Sequence, residues 1–390
     1  MNYNFDEIIE RRGTQSLKYD TEEKLWGRND LLPLWVADMD FRTPPFIMDA
    51  IKSRLGHEIL GYTIPHAGYY NAFADWSERR YGMRLQHGEV HYIPGIVPGI
   101  YMIVNALTLP GDKIMIQPPV YHPFRHVTEA TERTLVNNEL ILENGRFRMD
   151  YDALRRDIKG CKLFILCNPH NPGGRIWEKE ELAELADICA ENGTIVISDE
   201  IHADMTFPPR IHLPFAMVSD TARMNSITLM APTKTFNMPG IVSSQAIVFN
   251  PELRRELFAY LDNNHIAGGN VFAFLAAEAA YGQGEEWLGQ MLAYVYGNIL
   301  YIDEFLRTNT PKIKAMIPEA SFLVFLDCCE LGFSTQEELD SFFVNKARLG
   351  LNSGDMFGPG GEGWMRLNAA SPRSVIEEAM QRLKAAYDTL

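Results

Sequence analysis

Lys234 follows the apolar run Ser226–Met230, with only Ala231, Pro232 and Thr233 between. A lysine at the mouth of a buried strand is costly unless it is paired, deprotonated or used covalently. Asp199 and Glu200 stand at the end of a second apolar run, Thr194–Ser198. Acids at the carboxyl end of a buried strand are usually there for a ligand, because burial otherwise penalises them. Arg366 falls inside the short stretch Gly363–Leu367, which reads as a strand. A buried guanidinium is rare unless it grips a carboxylate, here either a ligand's or the protein's own in an internal salt bridge. An amine, a strand-end acid and a carboxylate-gripping cation are parts for covalent amine chemistry and proton transfer.

Several loops offer further groups. Pro94-Gly95-Ile96-Val97-Pro98-Gly99 follows a strand predicted over Val90–Ile93 and precedes a helix predicted over Ile100–Leu109. Bare N–H groups at such a helix start suit a phosphate, although the stretch is neither a G-x-G-x-x-G fingerprint nor a P-loop. Tyr121 lies just past the strand Lys113–Gln117, where it either stacks on a planar ligand or packs on its own loop. The central strand Lys162–Cys167 ends in Asn168-Pro169-His170-Asn171-Pro172-Gly173-Gly174, a constrained loop in which a cis peptide is expected. Tyr62, in Gly61–Pro65, reads as exposed. Asp38 and Asp40 close the apolar stretch Leu31–Phe41 and read either as turn and capping acids or as the lining of a site entrance.

From Val90 onward strand and helix alternate, the pattern of an α/β sheet whose strand ends gather these groups. Helices are predicted over Asp6–Arg12, Pro45–Leu55, Tyr69–Tyr81, Glu178–Ala190, Glu252–Ala280 with a break around residues 263–269, and Glu285–Leu306. Strands at Phe322–Leu326 and Gly363–Leu367, with helices near Gln336–Leu349 and Ser374–Asp388, make a smaller α+β lobe. The expected division is 1–45 joining the small domain, 46–285 as the large domain and 286–390 as the small one. With 390 residues, 46% of them hydrophobic, a sizeable core is available. A net charge of -15 argues against nucleic acid and anionic membrane surfaces. No apolar run approaches spanning length, and the N-terminus lacks the basic-then-apolar pattern of a signal peptide. The five cysteines, odd in number and without a C-x-x-C pair, fit reduced thiols in the cytoplasm and neither a disulfide framework nor a zinc site.

A phosphate turn, a stacking aromatic, an Asn-Pro loop, a strand-end acid and a lysine, in this order along one sheet, are what pyridoxal phosphate asks for. On Val36-Ala37-Asp38-Met39-Asp40-Phe41, Gly61-Tyr62, Asn168–Gly174, Ser198-Asp199-Glu200-Ile201-His202, Lys234-Thr235-Phe236-Asn237 and Arg366-Leu367-Asn368, the chain resembles fold-type I pyridoxal-phosphate enzymes of the aminotransferase class I/II group. Within that group it looks most like the cystathionine β-lyase branch, and the likeness covers nearly the whole chain. The resemblance implies a large domain built on a mainly parallel seven-stranded sheet with a smaller α+β domain. It implies Lys234 as the Schiff-base lysine and acid/base, Asp199 on the pyridine nitrogen, Asn171 and His202 at the ring hydroxyl, and Tyr121 stacked on the ring. Backbone N–H groups of Ile96 and Val97 would hold the phosphate, with Tyr62 reaching it from the other subunit of a homodimer. Arg366, with Ala37, Asn171 and Tyr121 nearby, would hold a sulfur-containing amino acid by its α-carboxylate.

Two departures stand out. Related sequences often have serine ahead of the lysine; here Ala231-Pro232-Thr233 stands there, and only Thr233 can substitute as a phosphate ligand. Gly240-Ile241-Val242 lacks the phosphate-gripping arginine of aspartate-type aminotransferases. The motifs serve an aminotransferase as well as a β-lyase, and a regulatory role on the same fold ranks third.

Overall fold

The computed structural model describes residues 2–265 and 268–390. Apolar runs punctuated by glycine and proline form a seven-stranded sheet in the spatial order Val90–Ile93, Ser244–Ile247, Ser226–Met230, Ile195–Asp199, Cys161–Cys167, Lys113–Ile116, Thr134–Asn137. Ser244–Ile247 runs antiparallel to both neighbours. The other strands share one direction, so Ile93, Ile116, Cys167, Asp199 and Met230 end along one edge. Within Cys161–Cys167, Leu163 and Ile165 pack into the cluster that holds Ile100, Phe124 and Leu257. Phe164 and Leu166 pack into the opposite cluster with Leu182, Leu185 and Phe215. This is the two-sided burial expected of a central parallel strand, with successive side chains on opposite faces.

A four-stranded antiparallel sheet follows, in the order Lys314–Met316, Leu323–Asp327, Trp364–Asn368, Asn352–Ser353. The helices Glu285–Asn309 and Arg373–Tyr387 share its core through Ile299, Ile302, Ile376 and Leu383. Leu32–Pro33 pairs in parallel with Leu349–Gly350, tying the N-terminal segment to this side of the molecule.

Some expectations are corrected. Asp6–Arg12 is not helical. Side chains in and beside it reach sideways instead: the preceding Phe5 packs against Phe41 and Trp287, and Arg11 pairs with Asp38 and Asp40. The helix predicted from Ile100 begins at Ile96. Pro98 fits in its first turn, where no intrahelical N–H is required. The helix predicted over Gln336–Leu349 is regular only to Ser341, and Phe342–Ala347 forms a wider π-type turn ended by Arg348 in the left-handed region, φ 57°. Phe342 and Phe343 are adjacent and both buried, which a regular helix places poorly. The break in Glu252–Ala280 separates the helices Pro251–Asn263 and Val271–Gln283; residues 266 and 267 lie outside the described residues. The edge strand Thr134–Asn137 and the hairpin Ile141–Glu143 with Arg146–Arg148 were not foreseen.

Buried Asp204 joins the parts behind the sheet edge. It accepts from Trp76 Nε1 at 2.8 Å and Thr235 Oγ1 at 3.0 Å, pairs with Arg80 Nε at 3.2 Å, and also accepts the Tyr81 hydroxyl. Removing it strands several buried donors and a cation. Asp204→Ala is expected to cost about 3 kcal/mol, read as a lowered urea midpoint; an unchanged midpoint would show the hub to be dispensable.

Candidate active site

Lys234 lies in the short helical turn Pro232–Thr235, which starts one residue after the fully buried strand Ser226–Met230. Its Nζ donates to the Ala37 carbonyl. Burial pushes its pKa down to about 8; Arg366 pushes the same way, while Asp38 and Asp199 oppose. Asp199 ends the neighbouring strand, and its Oδ1 accepts from the Ile201 N–H at 3.1 Å. Burial raises its pKa to about 7, with the Glu200 charge adding and the Ile201 N–H and Lys234 opposing. The two strand-end acids differ in use. Glu200 points inward, taking Ser198 Oγ and the Phe215 N–H at 2.8 Å each and His212 Nε2 at 2.7 Å. Asp199 keeps an oxygen without a hydrogen bond to any described residue.

Arg366 is buried in the strand Trp364–Asn368, and among the described residues no carboxylate pairs with it. The internal salt bridge is therefore ruled out as its reason. Its partners are neutral oxygens: Asn171 Oδ1 at 3.1 Å, Asn352 Oδ1 at 2.6 Å and the Trp35 carbonyl at 3.2 Å. Its guanidinium lies 5.0 Å from the centre of the Phe357 ring, and its Nε has no partner. Burial lowers its pKa to about 10, so the charge persists at neutral pH. His202 is buried with Nδ1 unpartnered; burial, then Lys234 and Arg366, push its pKa down to about 3. Burial pushes the Tyr121 hydroxyl up to about 12.

One loop joins these groups. Asn237, beside the lysine turn at φ 47°, accepts from the Met39 N–H at 2.9 Å and donates to the Met39 and Phe41 carbonyls at 3.0 and 2.6 Å. Asn368, on the second sheet, donates to the Val36 and Asp38 carbonyls at 2.7 and 2.6 Å. Asp38 and Asp40 cap no helix. Arg11 bridges them at 2.6 and 2.7 Å, and fully buried Lys18 reaches Asp40 at 2.7 Å, with Ser371 Oγ also at 2.7 Å. Asn237, Arg11 and Lys18 are site-builders that no local pattern marks, because the partners of Arg11 and Lys18 lie 22 to 29 residues away and those of Asn237 196 to 198.

Ala37, Tyr121, His122, Lys234, Asn352 and Arg366 line one cleft of about 1330 Å³. Asn171 stands behind it through Arg366. Asp199 ends the strand paired with the one that leads to Lys234, and the lysine acts electrostatically on both Asp199 and His202. The Asn168–Pro169 and Asn171–Pro172 peptides are both cis, as the loop composition predicts. Ile96 and Val97 open the helix Ile96–Leu107 at the same strand-end edge, one strand removed from that of the lysine. Gly95 precedes them at φ 141°, a conformation that favours glycine. Thr233 is buried beside Lys234. Tyr62 is not brought to the cleft within this chain; it is fully exposed and lines a separate hollow with Arg54, His66 and Phe274.

The sequence model of aminotransferase class I and II matches residues 29–383. The chain belongs to that family. Among family members, cystathionine beta-lyase PatB of Bacillus subtilis is 42% identical over 386 residues, 98% of this chain and 99% of that protein. A pyridoxal-phosphate-bound protein of Clostridium difficile, provisionally named an aminotransferase, superposes with a TM-score of 0.97 at 43% identity, covering 99% of this chain and 100% of the other. The pyridoxal-phosphate-bound C-S lyase of Staphylococcus hominis, in complex with L-cycloserine, superposes with a TM-score of 0.93 at 35% identity over 99% and 98%.

The lowered pKa of Lys234 has a stability consequence. A lysine ordinarily titrating at 10.5 that titrates near 8 when folded is unfavourable while charged. In cofactor-free protein Lys234→Met is expected to raise stability at pH 7 by up to about 3 kcal/mol. The advantage should shrink as pH rises from 8 towards 10.5, measured by thermal unfolding across that range. A gain independent of pH would show that Lys234 is not desolvated.

Proposed function

We infer that the chain is a pyridoxal-phosphate-dependent carbon–sulfur β-lyase of the cystathionine and cysteine-S-conjugate type. The net reaction takes the amino acid and water to a thiol, pyruvate and ammonia. One observation carries the reading: a buried, charged Arg366 without a carboxylate shares a cleft with a lysine titrating near 8. The full-length likeness to named lyases narrows it to β-elimination.

The residues fit the cofactor. Pyridoxal phosphate, when bound, supplies an aldehyde that joins amines and a protonated ring that draws electrons from the α-carbon. The free oxygen of Asp199 would hold a pyridinium, whose charge would bring its raised pKa back down. The unpartnered Nδ1 of His202 and the side-chain amide N–H of Asn171 are donors or acceptors for the ring hydroxyl. Tyr121, which lines the cleft, would supply an aromatic face to the ring. The Ile96 and Val97 N–H groups and the Thr233 hydroxyl would hold the phosphate, as they belong to a helix start and a turn at one sheet edge.

Arg366 grips the substrate α-carboxylate with its fork, held in orientation by Asn171, Asn352 and the Trp35 carbonyl. Lys234, partly neutral at pH 7, takes the α-proton, while the Ala37 carbonyl holds one of its N–H groups. The exposed run of Ile59, Leu60, Tyr62 and Ile64 supports a homodimer in which Tyr62 serves the other copy's site. Among the described residues no helix is long and apolar enough to cross a membrane. Five free cysteines, four of them buried, support a reducing cytoplasm.

Aminotransfer is the second reading, favoured by the name of the Clostridium difficile relative. The holoenzyme with L-cystathionine is expected to release pyruvate while its cofactor band persists. Accumulation of the amine form of the cofactor without pyruvate would make it an aminotransferase. Lys234→Ala should abolish turnover. Arg366→Lys should raise KM roughly 10- to 100-fold with a smaller change in kcat, by steady-state pyruvate assay.

A further inference from the structure

We propose that His122 hydrogen-bonds the departing sulfur of the substrate, a role that rests on the β-lyase reading above. His122 directly follows Tyr121 and immediately precedes the helix Pro123–Ala130, without a side-chain bond to its first turn. Its loop is pinned on both sides. The Val120 N–H donates to the Phe357 carbonyl at 2.9 Å, and the Leu140 N–H to the Pro118 carbonyl at 2.8 Å. The ring stands edge-on to Tyr121, His126 and Phe357, with centres 5.3, 5.2 and 6.3 Å apart. Phe357 is also the ring on which Arg366 lies. With the α-carboxylate on Arg366 and the α-proton facing Lys234, the β-substituent is the arm left to meet the wall formed by Tyr121, His122 and Met356.

The His122 imidazole makes no hydrogen bond to any described residue, and its Nδ1 is buried without a partner. With no partner inside the protein, the imidazole keeps its hydrogen-bonding capacity for a ligand in the cleft that it lines. With Nδ1 closed off, Nε2 is the nitrogen available to the cleft. Burial, with the nearby His126, Arg366 and Arg125, lowers the pKa to about 4, so the ring is neutral and keeps one N–H to donate. The Met356 thioether and the rings of Tyr121 and Phe357 make the surroundings polarisable, which suits a sulfur substituent.

The chemistry balances as follows. Lys234 takes the α-proton, and the electron pair left at the α-carbon closes the Cα–Cβ double bond. The Cβ–S bond breaks, and its pair passes to sulfur. His122 donates its N–H to the growing thiolate charge without surrendering the proton. The thiolate then takes the proton that Lys234 carries, which returns the amine to its neutral form.

The test uses holoenzyme, the variants His122→Phe and His122→Gln, and two substrates. Methanethiolate leaves from S-methyl-L-cysteine as a basic sulfur; chloride leaves from β-chloro-L-alanine needing no hydrogen bond. The Phe variant is expected to lose roughly 10- to 100-fold in kcat with S-methyl-L-cysteine and to stay within about twofold with β-chloro-L-alanine. The Gln variant, which can donate an N–H, should recover much of the loss. In deuterium oxide, S-methyl-L-cysteine recovered from the Phe variant should carry more α-deuterium per pyruvate formed, because the proton is returned before the C–S bond breaks. That ratio does not depend on how much of a sample is folded. An equal fall on both substrates, no fall on either, or an unchanged exchange ratio would overturn the proposal. Pyruvate from β-chloro-L-alanine alone with the unaltered enzyme would instead remove the lyase reading, and the role of His122 with it.

Discussion

A guanidinium without a carboxylate is the constraint around which this molecule is built. Arg366 is buried, charged and surrounded by amide and carbonyl oxygens instead of an acid. Neutral acceptors solvate such a cation but do not neutralise it, so the site retains a deficit that an anionic ligand fills. The same field, together with burial, lowers the pKa of Lys234, His202 and His122. Asp199, which it does not neutralise, drifts up to about 7. The site is therefore one electrostatic unit: burial sets the direction of each shift, Arg366 adds to it at the lysine and the two histidines, and Glu200 adds to it at Asp199.

The parallel sheet is what makes that arrangement attainable. Central strands buried on both faces deliver Asp199 and Lys234 to one edge, and the second sheet brings Arg366 against it. The molecule is held behind this edge by groups that do no chemistry. Asp204 gathers four donors, Glu200 is turned inward on His212, and Lys18 and Arg11 neutralise Asp38 and Asp40.

Much of this was legible in the residues alone. Apolar runs that end in Asp199, Asn168 and the Lys234 turn announce strands and their functional ends, because burial forces composition there. The class of fold follows from the same alternation, whereas the order of the strands and the reversed direction of Ser244–Ile247 do not. Less was legible where partners are far apart in the chain. Nothing near Asn237 says that it grips residues 39–41, and nothing near Arg11 says that it meets Asp38 and Asp40. The predicted helix at Asp6–Arg12 failed for the same reason: tertiary partners there outweigh a short local pattern. Nothing in the sequence singles out His122, since only the packed structure shows that its imidazole lines the cleft without an internal hydrogen-bond partner.

The two asparagines that hold residues 36–41 have a mechanical consequence. Asn237 belongs to the lysine side and Asn368 to the second sheet, yet both grip main-chain groups of the same short loop. Each amide nitrogen is committed to two carbonyls, so pulling the sheets apart breaks bonds in pairs. That wall of the cleft behaves as a latch and not as a spring: it yields in whole steps, and while it is shut the Ala37 carbonyl stays in register with Lys234.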